Sequence, residues 1–394
     1  MTNNHPSKVT IHWKELDVLR GLAALLMIVN HVGYNTLHPN AIDGTLGGSL
    51  LFISSFAPVL FFFVTGLGYG IQSSQKKKLG HWYVIVNKLI ILLLADLLIH
   101  WSNGRLLGLE FLGFIGLSSL VLELIRRSKS PLIYCIIGFV GIFIIRYLIG
   151  PIIHSWGYDQ RGWWLLDWII GTSGISGISY PLSPWMAYPL AGYIVGAAAM
   201  GYRDYIQTHR LGVVFGLLMV AGLPAIASLI LLQRGSSFFR WGTVSLGFYI
   251  ISFAILLVSI AGTLALCRQG RLNIVQEALS LKGIASLAVV PVHYFLIYLV
   301  TNMGGTGVSL LSYGMIAIAV LISSFLLARF VEKLSYIILE IKQQKIVWYG
   351  LAAMFVVAAG LTLIYNREST SLVMLTRTFG QIVLCLLFVI RLPL

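Results

Sequence analysis

The run Arg210-Leu-Gly-Val-Val-Phe-Gly-Leu-Leu-Met-Val-Ala-Gly-Leu-Pro-Ala-Ile-Ala-Ser-Leu-Ile-Leu-Leu232 carries no charge after its first residue. At about 1.5 Å of rise per residue, a helix of this length extends roughly 33 Å, enough to cross a hydrocarbon core about 30 Å thick. Lipid offers no partner to a bare backbone N–H or C=O, so such a segment is expected to be helical. Similar runs recur in both directions from it. Twelve apolar segments lie at roughly 17–37, 49–72, 82–101, 105–125, 131–150, 184–202, 211–232, 243–267, 283–301, 308–331, 346–365 and 372–391. The expected fold is all-α: a polytopic membrane helix bundle of 11–12 transmembrane helices. Composition agrees. Of the 394 residues 58% are hydrophobic and 10% charged, against about 25% charged in soluble domains. Forty glycines suit close packing of membrane helices.

Loop charges predict the orientation. Lys76, Lys77 and Lys78 follow the second segment, and Arg126, Arg127 and Lys129 the fourth. Arg203 and Arg210 follow the sixth, Arg268, Arg271 and Lys282 the eighth, and Lys333, Lys342 and Lys345 the tenth. The intervening loops hold only scattered arginines. Under the positive-inside rule both termini are expected to be cytoplasmic. The net charge of +14 then reflects loops facing an anionic leaflet rather than a nucleic-acid surface, since no basic soluble module is present. Residues 1–15 read as a cytoplasmic tail and 16–394 as one transmembrane domain. The first apolar run is long and lacks an A-x-A cleavage site, so it reads as a retained helix rather than a signal peptide. Cys135, Cys267 and Cys385 sit in apolar runs without metal-ligand spacing, so neither disulfide nor metal site is expected.

Ionisable groups inside a membrane are costly and mark candidate sites. The first segment reads Glu15-Leu-Asp17-Val-Leu-Arg20-Gly21-Leu-Ala-Ala24-Leu-Leu-Met27-Ile-Val-Asn30-His31-Val-Gly33-Tyr34-Asn35. At about 100° per residue, Arg20 and His31 fall within roughly 20° of each other around the helix, and Asp17 within about 40°. The three share a stripe, with Gly21 and Ala24 beside it to admit another helix. Asp17 and Arg20 sit at the cytoplasmic boundary, and His31 roughly 16 Å further along. A neutral imidazole there is a usable general base, or a structural histidine bonded to a neighbouring helix. Arg20 suits phosphate, or simple anchoring.

Asp96 and His100 are spaced to face the same way, as a second polar site or as a structural unit. Arg146 calls for a counter-charge from Asp96, Glu110 or Glu123. His293 stands beside Pro291, which frees a carbonyl and can mark a cavity. The loop 151–183 holds Trp156, Trp163, Trp164 and Trp168, which read as an interfacial aromatic belt or as an outer lid that stacks on a sugar.

Leu16-Asp-Val-Leu-Arg-Gly-Leu-Ala-Ala-Leu25 followed by His31 resembles the opening helix of the transmembrane acyltransferase superfamily. That superfamily includes acyltransferase family 3 and the heparan-alpha-glucosaminide N-acetyltransferase-like proteins. Phe61-Phe-Phe-Val-Thr-Gly66, Arg105-Leu-Leu-Gly-Leu-Glu110-Phe-Leu-Gly-Phe-Ile-Gly116 and Pro181-Leu-Ser-Pro184-Trp185 are similar to later helices of the second branch. The resemblance covers most of the first 200 residues. It implies acyl-CoA, acetyl-CoA above all, as a cytoplasmic co-substrate, and a sugar hydroxyl or amine of an outer-side glycan as acceptor. It implies a catalytic role for the helix-one histidine, His31. The heparan branch also places a histidine just past helix one, and the counterpart here is His38 in His38-Pro-Asn-Ala-Ile-Asp-Gly44, which lacks that branch's tryptophan.

The candidate catalytic residues are therefore His31, His38 and Asp17. Arg20, Lys76 and Lys77 are the candidates for CoA, and Asn35, Trp163, Trp164 and Trp185 for the acceptor. Asp96, His100, Arg146 and His293 form the candidate second polar site. The expected partners are membrane lipids, acyl-CoA and a glycan or small-molecule acceptor; a homodimer is compatible with the reading. The expected location is the plasma (cell inner) membrane. The alternative is a secondary transporter or lipid-linked sugar flippase, with Asp96, Arg146 and His293 as a proton relay.

Overall fold

The computed structural model describes residues 13–74, 82–105, 107–155, 164–170, 178–232, 244–267, 274–341, 343–366 and 370–390. Among them, twelve helices follow the twelve apolar segments: α1 (Lys14–Thr36), α2 (Ala57–Ser74), α3 (Trp82–Ser102), α4 (Phe111–Arg127), α5 (Pro131–Ile144), α6 (Ala187–Gly201), α7 (Arg210–Leu232), α8 (Leu246–Leu266), α9 (Gly283–Asn302), α10 (Leu310–Glu340), α11 (Gln344–Tyr365) and α12 (Thr370–Val389). Ten helical stretches of the described residues are long and apolar enough to cross a membrane. The two remaining helices, α4 and α6, are 17 and 15 residues long. The chain is a multi-pass, all-α membrane protein.

Polar contacts show which helix ends lie together. At the end holding the start of α1, Arg210 donates to Glu15 at 2.7 Å, Leu281 N–H to the Asp17 carbonyl at 3.1 Å, and Arg329 to the carbonyls of Glu277 and Ala278. We call this the near end. At the far end Leu37 pairs with Val308, and Leu109 with Ile178, in isolated backbone bridges. Arg210, and Lys282 next to Leu281, are tied to the near end by its contacts.

Three segments differ from the expectation, the second and fourth for identifiable physical reasons. The second divides into a short helix, Thr45–Ser54, and α2. Pro58, lacking an N–H, stands in the first turn of α2, where its ring would clash with the carbonyl of Ser54 in an unbroken helix. The fourth begins at Phe111, not 105, because Asp96 captures the backbone N–H groups of Glu110 at 2.8 Å and Gly113 at 3.0 Å. This carboxylate satisfies donors that a helix start leaves orphaned. The tenth runs on to Glu340. In addition, α5 continues through a π-helical turn, Ile145–Ile149, to Ser155.

Two packing features fix the centre. Glycines of α2 and α6 interlock: a Cβ on Gly66 or Gly70 would run into the carbonyl of Pro189 or Tyr193, and one on Gly192 or Gly196 into that of Phe63 or Leu67. Lipid is as apolar as leucine, so helices in a bilayer gain from such close backbone approach rather than from hydrophobic burial. Helix α1 is central and packs on α2, α9 and α10. Its Gly21 admits the Leu279 carbonyl with no room for a side chain, while Val18, Leu19, Ala23, Ala24 and Ile28 are buried.

Gly66→Val should therefore abolish the folded protein, whereas Gly141→Ala, whose Cβ would meet open space, should leave it intact. Size-exclusion profiles of the two variants in detergent test this; a monodisperse Gly66→Val would contradict the interlocked packing.

Candidate functional site

A cavity of about 540 Å³ opens among α1, α2, α3, α9 and α12 towards the far end of the bundle. Its size falls within the range of roughly 300–1,000 Å³ usual for small-molecule sites. Met27, Ala57, Pro58, Phe61 and Val290 give it an apolar side. Its polar side brings together His31, Glu110, Tyr294, Arg377 and Gln381.

His31 is held by a relay whose proton positions follow from the partners. His293, fully buried on α9, has Nδ1 at 2.9 Å from the Val289 carbonyl. A carbonyl only accepts, so Nδ1 carries the proton. In neutral His293 the other nitrogen, Nε2, is then an acceptor. His31 Nδ1 lies 2.9 Å from it and must donate. The proton of His31 is thereby fixed on Nδ1, which leaves the Nε2 lone pair uncommitted in a residue that lines the cavity. Tyr294 stacks on the His31 ring at 4.9 Å between centroids and limits its rotation.

Glu110 enters from the connection between α3 and α4, outside the membrane-crossing helices. It accepts from Ser179 Oγ at 2.7 Å. Burial raises its carboxyl pKa to about 7, an effect that the Asp96 carboxylate reinforces and the Ser179 hydrogen bond opposes. Arg377 on α12 is 7% exposed and lies 5.8 Å over the Tyr294 ring. It donates to Ser102 Oγ at 3.2 Å, and its buried Nε has no partner.

The other candidates fall elsewhere. Asp17 and Arg20 pair with each other at 2.7 Å at the near end and do not line the cavity. His38 is exposed; its Nδ1 accepts from Asn40 N–H at 3.2 Å and caps the short helix Pro39–Ile42. Asn35 is exposed and donates to the His31 carbonyl. Trp185 is fully buried among Phe62, Tyr180 and Tyr188. Trp164 opens the short helix Trp164–Ile170, and Lys76, Lys77 and Trp163 lie outside the described residues.

The second polar site does not assemble as one unit. Asp96 caps α4, His100 stands 3.7 Å from it under the Gly108 backbone, and Arg146 donates to the Ile170 carbonyl at 3.5 Å. Of this group His293 alone joins the cavity residues, through His31. The three acids weighed as counter-charges for Arg146 are held by other partners: Asp96 and Glu110 as above, Glu123 by Arg126 and Arg127. Among the described residues no cluster of metal-ligating side chains occurs.

The model of the heparan-alpha-glucosaminide N-acetyltransferase catalytic family matches residues 13–222. The chain belongs to this family. No curated protein and no solved structure matches it. The match to this membrane acetyltransferase-like family takes in Asn30, His31, Glu110, Ser179 and Tyr180, and ends before His293, Tyr294, Arg377 and Gln381. The cavity is thus built jointly by the matched half and by α9 and α12. Arg377 and Gln381 were legible by one rule alone, that a charged or amide group within an apolar run is costly.

The raised pKa of Glu110 has a signed consequence. Between its ordinary range and about 7 the folded state binds more protons than the unfolded state. Its contribution to stability is full at low pH and is lost as pH rises through 7. The melting temperature of Glu110→Gln should fall less between pH 5 and pH 8 than that of the parent; an identical pH profile would show that this carboxyl is not held protonated.

Proposed function

We propose that the protein is a membrane acyltransferase that moves an acetyl group from acetyl-CoA to a hydroxyl or amine of a glycan, with His31 Nε2 as the working base. The observation that carries this reading is the relay Val289–His293–His31, which leaves the Nε2 lone pair of a cavity-lining residue uncommitted and able to take the proton of a neutral acceptor. The family match supports acetyl-CoA as donor. Binding of CoA at the basic near end, taken as cytoplasmic, and entry of the acceptor at the far end complete the reading.

The bonds balance simply. The acceptor oxygen or nitrogen attacks the thioester carbonyl carbon as its proton passes to His31 Nε2. The C–S bond breaks, and the departing CoA sulfur takes that proton. As the imidazole becomes cationic, its Nδ1–H bond to His293 Nε2 becomes charge-assisted and strengthens. His293 is a positioning residue: it holds the ring orientation and the tautomer but does not touch the acceptor. The cavity lining fits the acetyl end of the donor, with apolar Met27, Phe61 and Val290 facing the polar group around His31.

General-base catalysis contributes about 10²–10⁴ in rate. His31→Ala should lose acetylation by that factor while acetyl-CoA still raises the melting temperature. His293→Phe should lower kcat with little change in KM, and His293→Gln, which restores an acceptor to His31 Nδ1–H, should recover part of it. Acetylation assayed with radiolabelled acetyl-CoA on purified protein in nanodiscs reads these outcomes. Undiminished transfer by His31→Ala refutes the assignment. Absence of any acetyl-CoA stabilisation would favour a transporter.

A further inference from the structure

We propose that Arg377 is an anion-binding residue, and that the acceptor carries a carboxylate, phosphate or sulfate close to the hydroxyl or amine that faces His31. The proposal rests on the transferase reading for the word acceptor; the anion subsite itself does not. A guanidinium within a membrane segment is expensive, and a buried charge is tolerated where it is paired or has a task. Among the described residues no ion pair includes Arg377. Of its five N–H donors, one meets an acceptor, Ser102 Oγ, and the buried Nε meets none. Glu110, the acid of the same cavity, is turned to Ser179 instead.

The surroundings read as a holder for a ligand oxyanion. Arg377 lines the cavity, and its guanidinium lies 5.8 Å from the centre of the Tyr294 ring, a cation–π partner. Gln381, one turn further along α12, lines the same cavity; its Nε2 donates to the Ala95 carbonyl at 2.9 Å, so the amide is fixed in place. The planar fork of arginine matches carboxylate, sulfate and phosphate alike. His31 and Arg377 line the same cavity, and both lie against Tyr294, at 4.9 Å and 5.8 Å from its ring centre, so one ligand in the cavity can reach base and cation together. The subsite residues Tyr294, Arg377 and Gln381 lie beyond the family match at 13–222, so the selectivity belongs to this chain's second half.

The test compares methyl glucuronide with methyl glucoside as ligands of the full chain in nanodiscs, by thermal shift without acetyl-CoA. A charge-assisted hydrogen bond predicts about ten- to hundredfold tighter binding of the glucuronide, weakening with added salt, and competition by inorganic sulfate. Arg377→Gln should erase the difference between the two sugars, Arg377→Lys should keep part of it, and both should leave stabilisation by acetyl-CoA unchanged. Equal binding of the two sugars by the parent, or binding of neither, overturns the proposal and needs no variant to fold. A difference that survives Arg377→Gln also overturns it. Loss of acetyl-CoA stabilisation in that variant would assign the arginine to the donor's phosphates and overturn it likewise. Glucuronide selectivity in a parent protein that acetyl-CoA does not stabilise would instead refute the transferase reading and leave the anion subsite standing.

Discussion

The hydrogen bond between His31 and His293 joins the first helix to the ninth inside the bundle, and the candidate site depends on it. Such a bond adds little stability: side-chain hydrogen bonds between membrane helices average about 0.6 kcal/mol. Its consequence is chemical. Because His293 Nδ1 is committed to the Val289 carbonyl, the direction of every proton in the relay is set by the backbone of α9. An imidazole free to rotate would spend part of its time with the wrong nitrogen facing the cavity. Here Tyr294 and His293 both pack against the ring, and one tautomer is selected before any acceptor arrives.

The rest of the fold can be understood as what brings these two helices to that contact. Gly21 lets α1 close against the Leu279 carbonyl at the near end, and the Leu37–Val308 bridge ties α1 to the connection between α9 and α10 at the far end. With both ends fixed, the register of α1 against α9 is fixed as well. The interlocked glycines of α2 and α6 supply the rigid wall behind Phe61. Asp96 sets where α4 begins, which leaves Glu110 at the rim of the cavity rather than inside a helix.

The twelve helices were legible because the bilayer demands long apolar runs, and that demand is written locally. His31 was legible for the same reason, as a costly group within such a run. Its partner was not: His293 lies 262 residues away, and nothing in spacing links the two. The stripe of Asp17, Arg20 and His31 is real as helix geometry, yet Asp17 and Arg20 satisfy each other at the near end and leave His31 to another helix. Asp96 was visible as a buried acid, but its use as a cap for a different helix depends on a turn that composition does not reveal. Arg377 obeyed the rule that singled out Arg146, and its importance comes from what surrounds it, which only the packed bundle supplies.

The central claim is the protonation pattern of the relay, and histidine ¹⁵N NMR of the protein in nanodiscs at neutral pH reads it directly. The account predicts that the His31 signal, identified by its loss in His31→Gln, shows a protonated Nδ1 and an unprotonated, pyridine-type Nε2, with His293 also protonated on Nδ1. A His31 protonated on Nε2 would close off the lone pair and contradict the account.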